Sequence, residues 1–267
     1  MRALSELMDL RGRVALITGG GGHVGRAIGE ALAEQGAIVA LLDFDAAAAE
    51  RAVDRLRVEY GATATGLIVD LRDEDATRAA PAAVLEKYGR LDILVNCAAL
   101  VGTSGLEDLT APFPKQGTVT WRLALEVNLT AAFVLSQASS EALSAGGRGS
   151  IINVSSIYGM VGSDMSLYEG TTMGSSAAYG VSKGGIIQLT RWLATMLAPA
   201  VRVNAITPGG ILRGQPEPFR KRYVDRTPMR RMAVEEDFKG AAAYLASDLS
   251  AYVTGQNLVV DGGWTIW

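Results

Sequence analysis

Residues 14–25 read Val-Ala-Leu-Ile-Thr-Gly-Gly-Gly-Gly-His-Val-Gly and lead directly into an alanine-rich stretch. The first four residues are apolar, which is typical of a strand that is buried on both faces of a parallel sheet. The glycines after Thr18 allow a tight turn and a close approach of the backbone. The sequence therefore predicts a strand, a glycine-rich turn and a helix in immediate succession.

The same alternation of short apolar runs and amphipathic or alanine-rich stretches continues to the end of the chain. It predicts strands at residues 14–17, 38–42, 67–69, 93–95, 151–154, 201–206 and 257–260. It predicts helices from residue 24 and at residues 46–60, 74–88, 121–143, 177–197 and 235–247. Strand-helix units joined by right-handed crossovers form a parallel sheet with helices on both faces. We therefore expect a doubly wound (Rossmann) α/β fold of about seven strands, in a single domain over residues 1–267.

Composition narrows the class of protein. The chain has 267 residues, of which 49% are hydrophobic, and this is enough for one large core. The lone Cys97 excludes an internal disulfide, and with one histidine it leaves no ligand set for a structural zinc ion. The net charge of −3 gives no long-range attraction for nucleic acid, and no apolar run reaches the ~20 residues of a membrane-spanning helix. We expect a cytoplasmic protein that binds small molecules, without metal, nucleic acid or membrane.

The glycine turn has the context of a dinucleotide site. A helix that begins directly after glycines presents free N–H groups to a pyrophosphate. Asp43 ends the second predicted strand, eighteen residues after Gly25. A carboxylate there can accept hydrogen bonds from the ribose hydroxyls of adenosine and repels a 2'-phosphate, so the pattern favours NAD over NADP. The alternatives are a flexible turn without a ligand and a helix cap formed by Asp43 beside Asp45.

A second pair of residues points to acid/base chemistry. Tyr179 and Lys183 stand four positions apart on a predicted helix, so their side chains share one face. A fixed ammonium favours the phenolate and lowers the pKa of the phenol. Such a pair is frequent by chance, and Ser156 after the fifth predicted strand adds a hydroxyl at the same edge of the sheet.

These motifs, in this order, resemble the short-chain dehydrogenase/reductase family over essentially the whole chain. The resemblance implies an NAD(P)-dependent oxidoreductase of secondary alcohols and ketones that assembles as a homotetramer. It implies that Tyr179 is the catalytic acid or base and that Lys183 lowers its pKa and holds the nicotinamide ribose. It also implies that Ser156 binds the substrate oxygen and that Asn128 positions a proton-relay water. Alternatively, Ser156 caps a strand end and Asn128 is an ordinary polar group of a helix.

The resemblance also implies a set of cofactor contacts. The implied residues are Gly19, Gly22, His23, Val24, Asp43, Asp70, Leu71, Asn96, Ala98, Tyr179, Lys183, Pro208, Gly209 and Ile211. Asp70 and the backbone of Leu71 are expected at the adenine, Asn96 and Ala98 at the adenosine side, and Ile211 at the carboxamide. A turn-forming Asn96 and a capping Asp70 are the alternatives.

The turn departs from the family's compact branch at His23. Its glycines instead follow the spacing T-G-x-x-G-x-x-G of the larger branch, through Gly22 and Gly25. If His23 adopts a positive φ, the cost is modest for histidine. We hypothesise that protonated His23 strengthens cofactor binding. Equal pH profiles of NAD affinity in the wild type and His23→Gly would contradict this; a tolerated turn residue is the alternative.

Two loops bear on the substrate. Twenty-two residues separate Ser156 from Tyr179, more than in most family members, and the insertion falls near residues 159–176. Because both of its ends are fixed at the chemistry, the insertion must emerge beside the substrate mouth, and its hydroxyls and carboxylates suit a polyhydroxylated ligand. Packing against a neighbouring subunit is the alternative. The second loop, residues 210–232, is rich in arginine, which favours phosphate or carboxylate, or else forms a solvated basic helix.

The chain is thus predicted to be an NAD-dependent oxidoreductase of a sugar or sugar phosphate. The insertion, with Pro208-Gly-Gly-Ile and Gln215-Pro-Glu-Pro-Phe, resembles a subgroup found in flagellin-modification and surface-glycan sugar pathways. The alternatives are a dehydrogenase of a polyol, a non-carbohydrate ketone or a 3-oxoacyl group, a sugar-nucleotide epimerase, and a non-catalytic NAD-sensing protein. Trp264 and Trp267 near the C-terminus predict a contact with another subunit.

Overall fold

The computed structural model describes residues 1–102 and 104–267. The strands are β1 (Val14–Thr18), β2 (Ile38–Asp43), β3 (Ala64–Ile68), β4 (Ile93–Asn96), β5 (Gly149–Val154), β6 (Val201–Pro208) and β7 (Asn257–Val260). They form one seven-stranded parallel sheet in the order β3-β2-β1-β4-β5-β6-β7. The strand order reverses between β1 and β4, and ligands of such sheets bind outside the carboxyl ends of the strands at that point. The predicted doubly wound fold is confirmed.

Helices cover both faces of the sheet. In the described residues the α-helices are α1 (Leu4–Met8), α2 (His23–Glu34), α3 (Ala46–Tyr60), α4 (Glu74–Tyr88), α5 (Thr118–Leu125), α6 (Ala131–Ala145), α7 (Ala177–Leu197), α8 (Glu217–Arg226) and α9 (Lys239–Ala246). None of the helices in these ranges is long and apolar enough to cross a membrane. Asp45 and Asp73 cap α3 and α4 by accepting backbone N–H groups at 3.0 Å, which explains why both helices begin where the sequence predicts.

Three predicted elements differ from the structure. The third strand is Ala64–Ile68 rather than 67–69, because its backbone pairs with β2 from Ala64 opposite Val39. The predicted helix 121–143 is divided into α5 and α6 by a π turn at Glu126–Thr130. The predicted helix 235–247 begins as a 3-10 turn, Glu235–Phe238, before α9.

The core lies on both sides of the central strands. One cluster packs α2, α3 and α9 against side chains such as Ile17 and Leu41, and the other packs α4, α6 and α7 against Leu94 and Val203. All four named side chains are fully buried, and each such burial stabilises the fold by roughly 1.5–3 kcal/mol. The rigid sheet therefore fixes the loops at the carboxyl ends of β1, β4 and β5, where the predicted site residues lie.

Candidate active site

Ser156, Tyr179 and Lys183 meet where β5 ends against the first turns of α7. Ser156 follows the end of β5 by two residues, and Ser176 caps α7 by accepting the N–H of Tyr179 at 3.2 Å. The Lys183 ammonium donates to the carbonyl of Val154 at 2.7 Å and lies 5.9 Å from the centre of the Tyr179 ring. The strand end therefore fixes the lysine, and the helix places the phenol beside it.

Burial sets the protonation of this group. It raises the pKa of the Tyr179 phenol, and the neighbouring Ser156 hydroxyl opposes part of that rise. Burial also lowers the pKa of Lys183 to about 8, so the ammonium is mostly protonated at neutral pH. The predicted fall in the pKa of Tyr179 is not found in the chain alone, because the phenolate is penalised by burial and the ammonium is bound to the Val154 carbonyl.

Ser156 is also a cap. Its Oγ accepts the N–H of Tyr158 at 3.2 Å and begins the turn Ile157–Gly159. A hydroxyl that accepts through one lone pair still has a proton to donate, so capping fixes the side chain without occupying its donor. Ser156 therefore caps this turn and also lies beside Tyr179, so the two interpretations are compatible.

Asn128 is buried in the π turn, and protein groups bind both of its polar atoms. Its Oδ1 accepts the N–H of Leu100 at 2.6 Å, and its Nδ2 donates to the Leu100 carbonyl at 3.2 Å and to Ser182 Oγ at 3.1 Å. The side chain thus fastens the loop after β4 to α7. That Asn128 positions a proton-relay water stays a prediction. Because protein groups already bind both polar atoms of the amide, such a water would also need hydrogen bonds with other residues.

The glycine turn lies at the carboxyl end of β1. Gly19 has φ 66, in the left-handed region, and a Cβ on it would lie 2.9 Å from the Cα of Ala98. Gly22 precedes α2 without a side-chain cap, so the first amides of that helix have no acceptor within it. The N–H groups of Gly20, Gly21 and Gly22 are bound within the chain, so the donors available to a pyrophosphate are those at the uncapped start of α2, and the glycines add no side-chain bulk there.

Asp43 is 8% exposed and ties the end of β2 to this turn. Its two carboxylate oxygens accept the N–H of Gly21 at 2.9 Å and of Asp45 at 3.1 Å. Asp45, not Asp43, caps α3. The alternative of a helix cap is therefore wrong for Asp43, and each of its oxygens keeps a lone pair for a ribose hydroxyl.

His23 differs from its prediction. It is the first residue of α2 and is helical, so the position requires no positive φ. Its Nδ1 lies 3.3 Å from Glu235 Oε1, which also accepts from Arg213 Nε at 3.2 Å. The side chain thus faces a carboxylate that is shared with the second loop.

Thr18 is a site residue that the sequence reasoning did not single out. Its Oγ1 accepts the N–H groups of Cys97 at 3.0 Å and Ala98 at 3.1 Å, which joins the ends of β1 and β4. The sequence feature that could have identified Thr18 is a hydroxyl-bearing residue at the end of a strand, directly before the glycines. Burial raises the pKa of the Cys97 thiol to about 11, so the thiol stays protonated at neutral pH and is a poor nucleophile.

The adenosine-side residues lie at the predicted strand ends but are partly bound to other protein groups. The Asn96 amide donates to Asn153 Oδ1 at 2.8 Å, between β4 and β5. Asp70 pairs with Arg72, whose guanidinium lowers the pKa of the Asp70 carboxyl, and Leu71 is buried. Contacts of these residues with adenine therefore stay predictions.

The loop after β6 is held close to the sheet. Pro208 ends β6, and the N–H of Gly209 donates to the carbonyl of Val260 at 2.9 Å. A Cβ on Gly209 would lie 2.8 Å from the Cα of Asp261. Ile211 forms an isolated bridge with Ala233, so the loop begins beside the site with a fixed backbone.

The insertion, residues 159–176, packs against α8 of its own chain. The Arg226 guanidinium binds Asp164 Oδ2 at 2.5 Å and lies 4.3 Å from the centre of the Trp264 ring. Trp264 is 1% exposed and stacks on Tyr223 with ring centres 5.8 Å apart. The prediction that Trp264 is buried against another subunit is wrong, because Tyr158 and the α8 side chains Tyr223 and Arg226 already pack on it, whereas Trp267 is 68% exposed.

The arginines of residues 210–232 bind acceptors of their own chain. The pairs are Arg213 with Glu235, Arg220 with Glu217, Arg222 with the carbonyl of Glu169, Arg226 with Asp164, Arg230 with the carbonyl of Asp225, and Arg231 with Asp237. Arg220, Arg222 and Arg226 lie on α8, so this part of the loop is a basic helix, and all six arginines contact acceptors of the same chain. The described residues contain no group of three or more His, Cys, Asp or Glu side chains placed to hold a metal ion.

Comparisons with known proteins agree with this geometry. Residues 22–265 match the family model described as enoyl-(acyl carrier protein) reductase. A probable galactose dehydrogenase of Rhizobium meliloti is 36% identical over 266 residues and 97% of each chain is covered. A galactitol 2-dehydrogenase (L-tagatose-forming) of Cereibacter sphaeroides gives the same identity and coverage.

Solved structures share the fold over nearly the whole chain. A short-chain type dehydrogenase/reductase from Mycobacterium marinum has a TM-score of 0.86 at 28% identity and 99% coverage of both chains. NAD+-bound xylitol dehydrogenase has a TM-score of 0.85 at 32% identity, with 95% and 99% coverage. A gluconate 5-dehydrogenase from Burkholderia cenocepacia in complex with NADP and tartrate has a TM-score of 0.88 at 29% identity, with 99% and 100% coverage.

Proposed function

Because this chain belongs to the short-chain dehydrogenase/reductase family, we propose that it oxidises a secondary alcohol of a sugar or polyol with NAD, or reduces the corresponding ketone. It is an NAD(P)-dependent oxidoreductase of CH–OH groups. The observation that carries the finer proposal is the meeting of Ser156, Tyr179 and Lys183 at the same edge of the sheet as a glycine turn that leads into the uncapped start of α2.

The residues of the chain supply the proton chemistry. A bound nicotinamide would supply hydride transfer, from the carbinol carbon in oxidation or to the carbonyl carbon in reduction. Ser156 Oγ and the Tyr179 hydroxyl hold the substrate oxygen, and Tyr179 takes its proton during oxidation or gives one during reduction. Lys183 would hold the nicotinamide ribose and supply positive charge near the phenol, while residues 19–25 would hold the pyrophosphate.

In the chain alone, the raised pKa of Tyr179 keeps the phenol protonated at neutral pH. That form is ready to act as the acid of ketone reduction. To act as the base of oxidation, the phenol must first lose its proton, and the Lys183 ammonium is the cation on the same helix face that stabilises the anion.

The substrate class rests on the relatives and on the insertion. Two relatives are named for galactose and galactitol, and a structural neighbour for xylitol, all of which carry several hydroxyls. The insertion brings Tyr168 and other hydroxyl-bearing side chains to the same end of the sheet as Ser156. A sugar phosphate is less favoured than the sequence predicts, since the arginines of the second loop are already paired.

The test of the proposed function is NADH formation, followed by absorbance, with a panel of sugars, sugar phosphates, polyols and simple alcohols. We expect turnover with at least one sugar or polyol and a smaller kcat/KM for simple alcohols. Including a 3-oxoacyl thioester, with NADH consumption as the readout, tests the alternative of a 3-oxoacyl reductase. Turnover of that thioester alone would contradict the proposal.

The preference for NAD rests on Asp43. Its carboxylate stands at the turn and repels a 2'-phosphate, and structural neighbours are known with either NAD or NADP. We expect Asp43→Asn to raise the NADP-to-NAD ratio of kcat/KM about tenfold or more, because the amide removes the charge yet keeps an oxygen for the Gly21 N–H. Asp45→Asn, at the neighbouring exposed cap, is the control and should leave the ratio unchanged. An unaltered ratio in Asp43→Asn would show that another group selects the cofactor.

Three further attributes belong to this proposal. A homotetramer is supported by exposed apolar side chains on the long helix α7, including Val181, Trp192 and Met196, and a monomer in light scattering would contradict it.

A cytoplasmic location is supported by the lone Cys97, and recovery of the protein from the culture medium would contradict it. A place in surface-glycan sugar metabolism is supported by the insertion motif, and an altered glycan profile in a deletion strain tests it.

A further inference from the structure

The first turn of α7, which carries Tyr179, depends on a capping residue. Tyr179 is the third residue of α7, so its N–H has no acceptor within the helix. Ser176 supplies the acceptor, since its Oγ accepts the N–H of Tyr179 at 3.2 Å. An N-cap residue has an extended backbone, and Ser176 has φ −106 and ψ 124. Whatever holds Ser176 in this conformation therefore also holds the backbone of Tyr179.

Gln116, two residues before α5, holds Ser176 from both sides. Its Nε2 donates to the carbonyl of Ser175 at 3.0 Å, and its Oε1 accepts the N–H of Ala177 at 3.2 Å. The two hydrogen bonds span Ser176, so one side-chain amide fixes the peptide groups before and after the cap. Ser176 cannot leave its extended conformation without breaking at least one of these bonds.

Gln116 is itself anchored in its loop. The same Nε2 donates to the carbonyl of Ala111 at 3.0 Å, and the side chain is half-buried. Leu109 of this loop and Ala178 of α7 are 3% exposed each and belong to one buried apolar cluster. The loop is therefore packed against α7 beside Tyr179, and the Gln116 amide reaches the cap from a fixed position.

The end of the insertion also packs closely on this loop. A Cβ on Gly174 would lie 2.1 Å from the carbonyl oxygen of Thr110, so a larger residue would require the backbone to shift. The next residue, Ser175, donates from its Oγ to Ser163 Oγ at 2.6 Å. The chain thus enters α7 along a path that the loop before α5 helps to fix, by close contact as well as by the Gln116 amide.

Lys183 does not depend on this cap in the same way. It lies one turn further along α7, and its ammonium donates to the Val154 carbonyl at 2.7 Å. Loss of the cap would therefore displace the Tyr179 phenol more than the Lys183 ammonium. The two groups that the proposed mechanism brings together are held by different parts of the chain.

We propose that Gln116 is a positioning residue for Tyr179, which keeps the phenol beside Ser156 and Lys183 by holding the Ser176 cap. The assignment rests on the proposed function. Gln116 takes no part in the proton transfer and acts through the backbone that it binds. Because a misplacement of a reacting group by about 1 Å can cost on the order of 100-fold in rate, a residue at this distance from the chemistry can still control kcat.

The test uses Gln116→Ala and Gln116→Glu, each alone and combined with Tyr179→Phe. Gln116→Glu keeps the size of the side chain and an acceptor for the N–H of Ala177, but its carboxylate has no proton to donate to the two carbonyls that the amide binds. Gln137→Ala is the matched control, because Gln137 is an exposed glutamine of α6 whose amide binds Arg78. The measurements are kcat by NADH formation and the Kd for NAD by calorimetry.

Both Gln116 variants should lower kcat about 10- to 100-fold and leave the Kd for NAD within about threefold of the wild type. Combined with Tyr179→Phe, the same changes should lower the remaining kcat less than about twofold, because the hydroxyl that Gln116 positions is already absent. A purely structural role would give equal losses with and without the Tyr179 hydroxyl. Equal losses, an unchanged kcat, or a parallel rise in the Kd for NAD would overturn the proposal.

Hydrogen exchange gives a readout that requires no turnover. The N–H of Tyr179 is bonded to Ser176 Oγ, so loosening of the cap should speed exchange in residues 177–180 about tenfold or more in Gln116→Ala, as followed by mass spectrometry. Gln137→Ala should leave this exchange unchanged. Absence of turnover by the wild type with the whole panel contradicts the oxidoreductase proposal, and exchange alone then decides whether Gln116 holds Tyr179. Exchange at the wild-type rate in both Gln116 variants overturns that hold.

Discussion

Tyr179→Phe is expected to lower kcat about 10²- to 10⁴-fold for every substrate while NAD affinity stays within about threefold of the wild type. The substitution removes only the hydroxyl, and the ring keeps its place on α7 near Lys183. Without the phenol, the group that exchanges a proton with the substrate oxygen in the proposed mechanism is missing, and Ser156 is left only to bind that oxygen. The measurements are NADH formation by absorbance and NAD binding by calorimetry.

A matched tyrosine shows whether the loss is specific to the site. Tyr252 is fully exposed, and Tyr252→Phe should retain wild-type kcat and NAD affinity. Thermal unfolding of both variants checks the fold. Wild-type turnover by Tyr179→Phe would refute the assigned mechanism, and a parallel loss of NAD binding would assign Tyr179 to cofactor binding instead.

The positions of the proposed catalytic residues were predictable because the sequence signals are local. Tyr179 and Lys183 stand on one helix, and a four-residue spacing fixes their common face whatever surrounds the helix. The limits of α3 and α4 were equally local, since each begins at a capping aspartate and ends before a left-handed glycine. These features require no knowledge of distant parts of the chain.

The features that the sequence did not predict depend on distant partners. The π turn at Asn128 is stabilised by the backbone of Leu100, which precedes it by 28 residues. Arg226 binds Asp164, which lies 62 residues earlier in the chain. A sequence shows that an arginine will be charged, but it does not show which carboxylate of its own chain will reach it.

The same reason explains the error at Trp264. A large aromatic side chain near the C-terminus is costly to expose to water, and the sequence did not show which residues of the same chain would pack against it. In the structure Tyr223 of α8, Tyr158 and Arg226 surround the indole within the same chain. Burial was therefore predicted correctly and its partner was not, because the path of the insertion decides that partner.

Gly25→Ala is expected to raise the Kd for NAD by at least about 10- to 100-fold and to lower the free energy of unfolding by roughly 1–3 kcal/mol. A Cβ at this position would lie 2.2 Å from the carbonyl oxygen of Gly19, which is backbone and cannot rotate away. The turn must therefore move relative to the start of α2, and the free amides that would hold the pyrophosphate move with it. NAD titration and denaturant unfolding measure the two effects.

Gly240 supplies the matched control for this change. It is exposed within α9, and a Cβ there would meet no atom within 4 Å. Gly240→Ala should therefore stabilise the protein by roughly 0.5–1 kcal/mol, since alanine loses less backbone entropy in a helix, and NAD affinity should not change. If Gly25→Ala binds NAD as the wild type does, the close approach of α2 to Gly19 is not what shapes the pyrophosphate site. We expect alanine to destabilise the protein at position 25 and to stabilise it at position 240, with NAD affinity lost only at position 25. That result would show that Gly25 is required by close backbone contact and not by helix propensity.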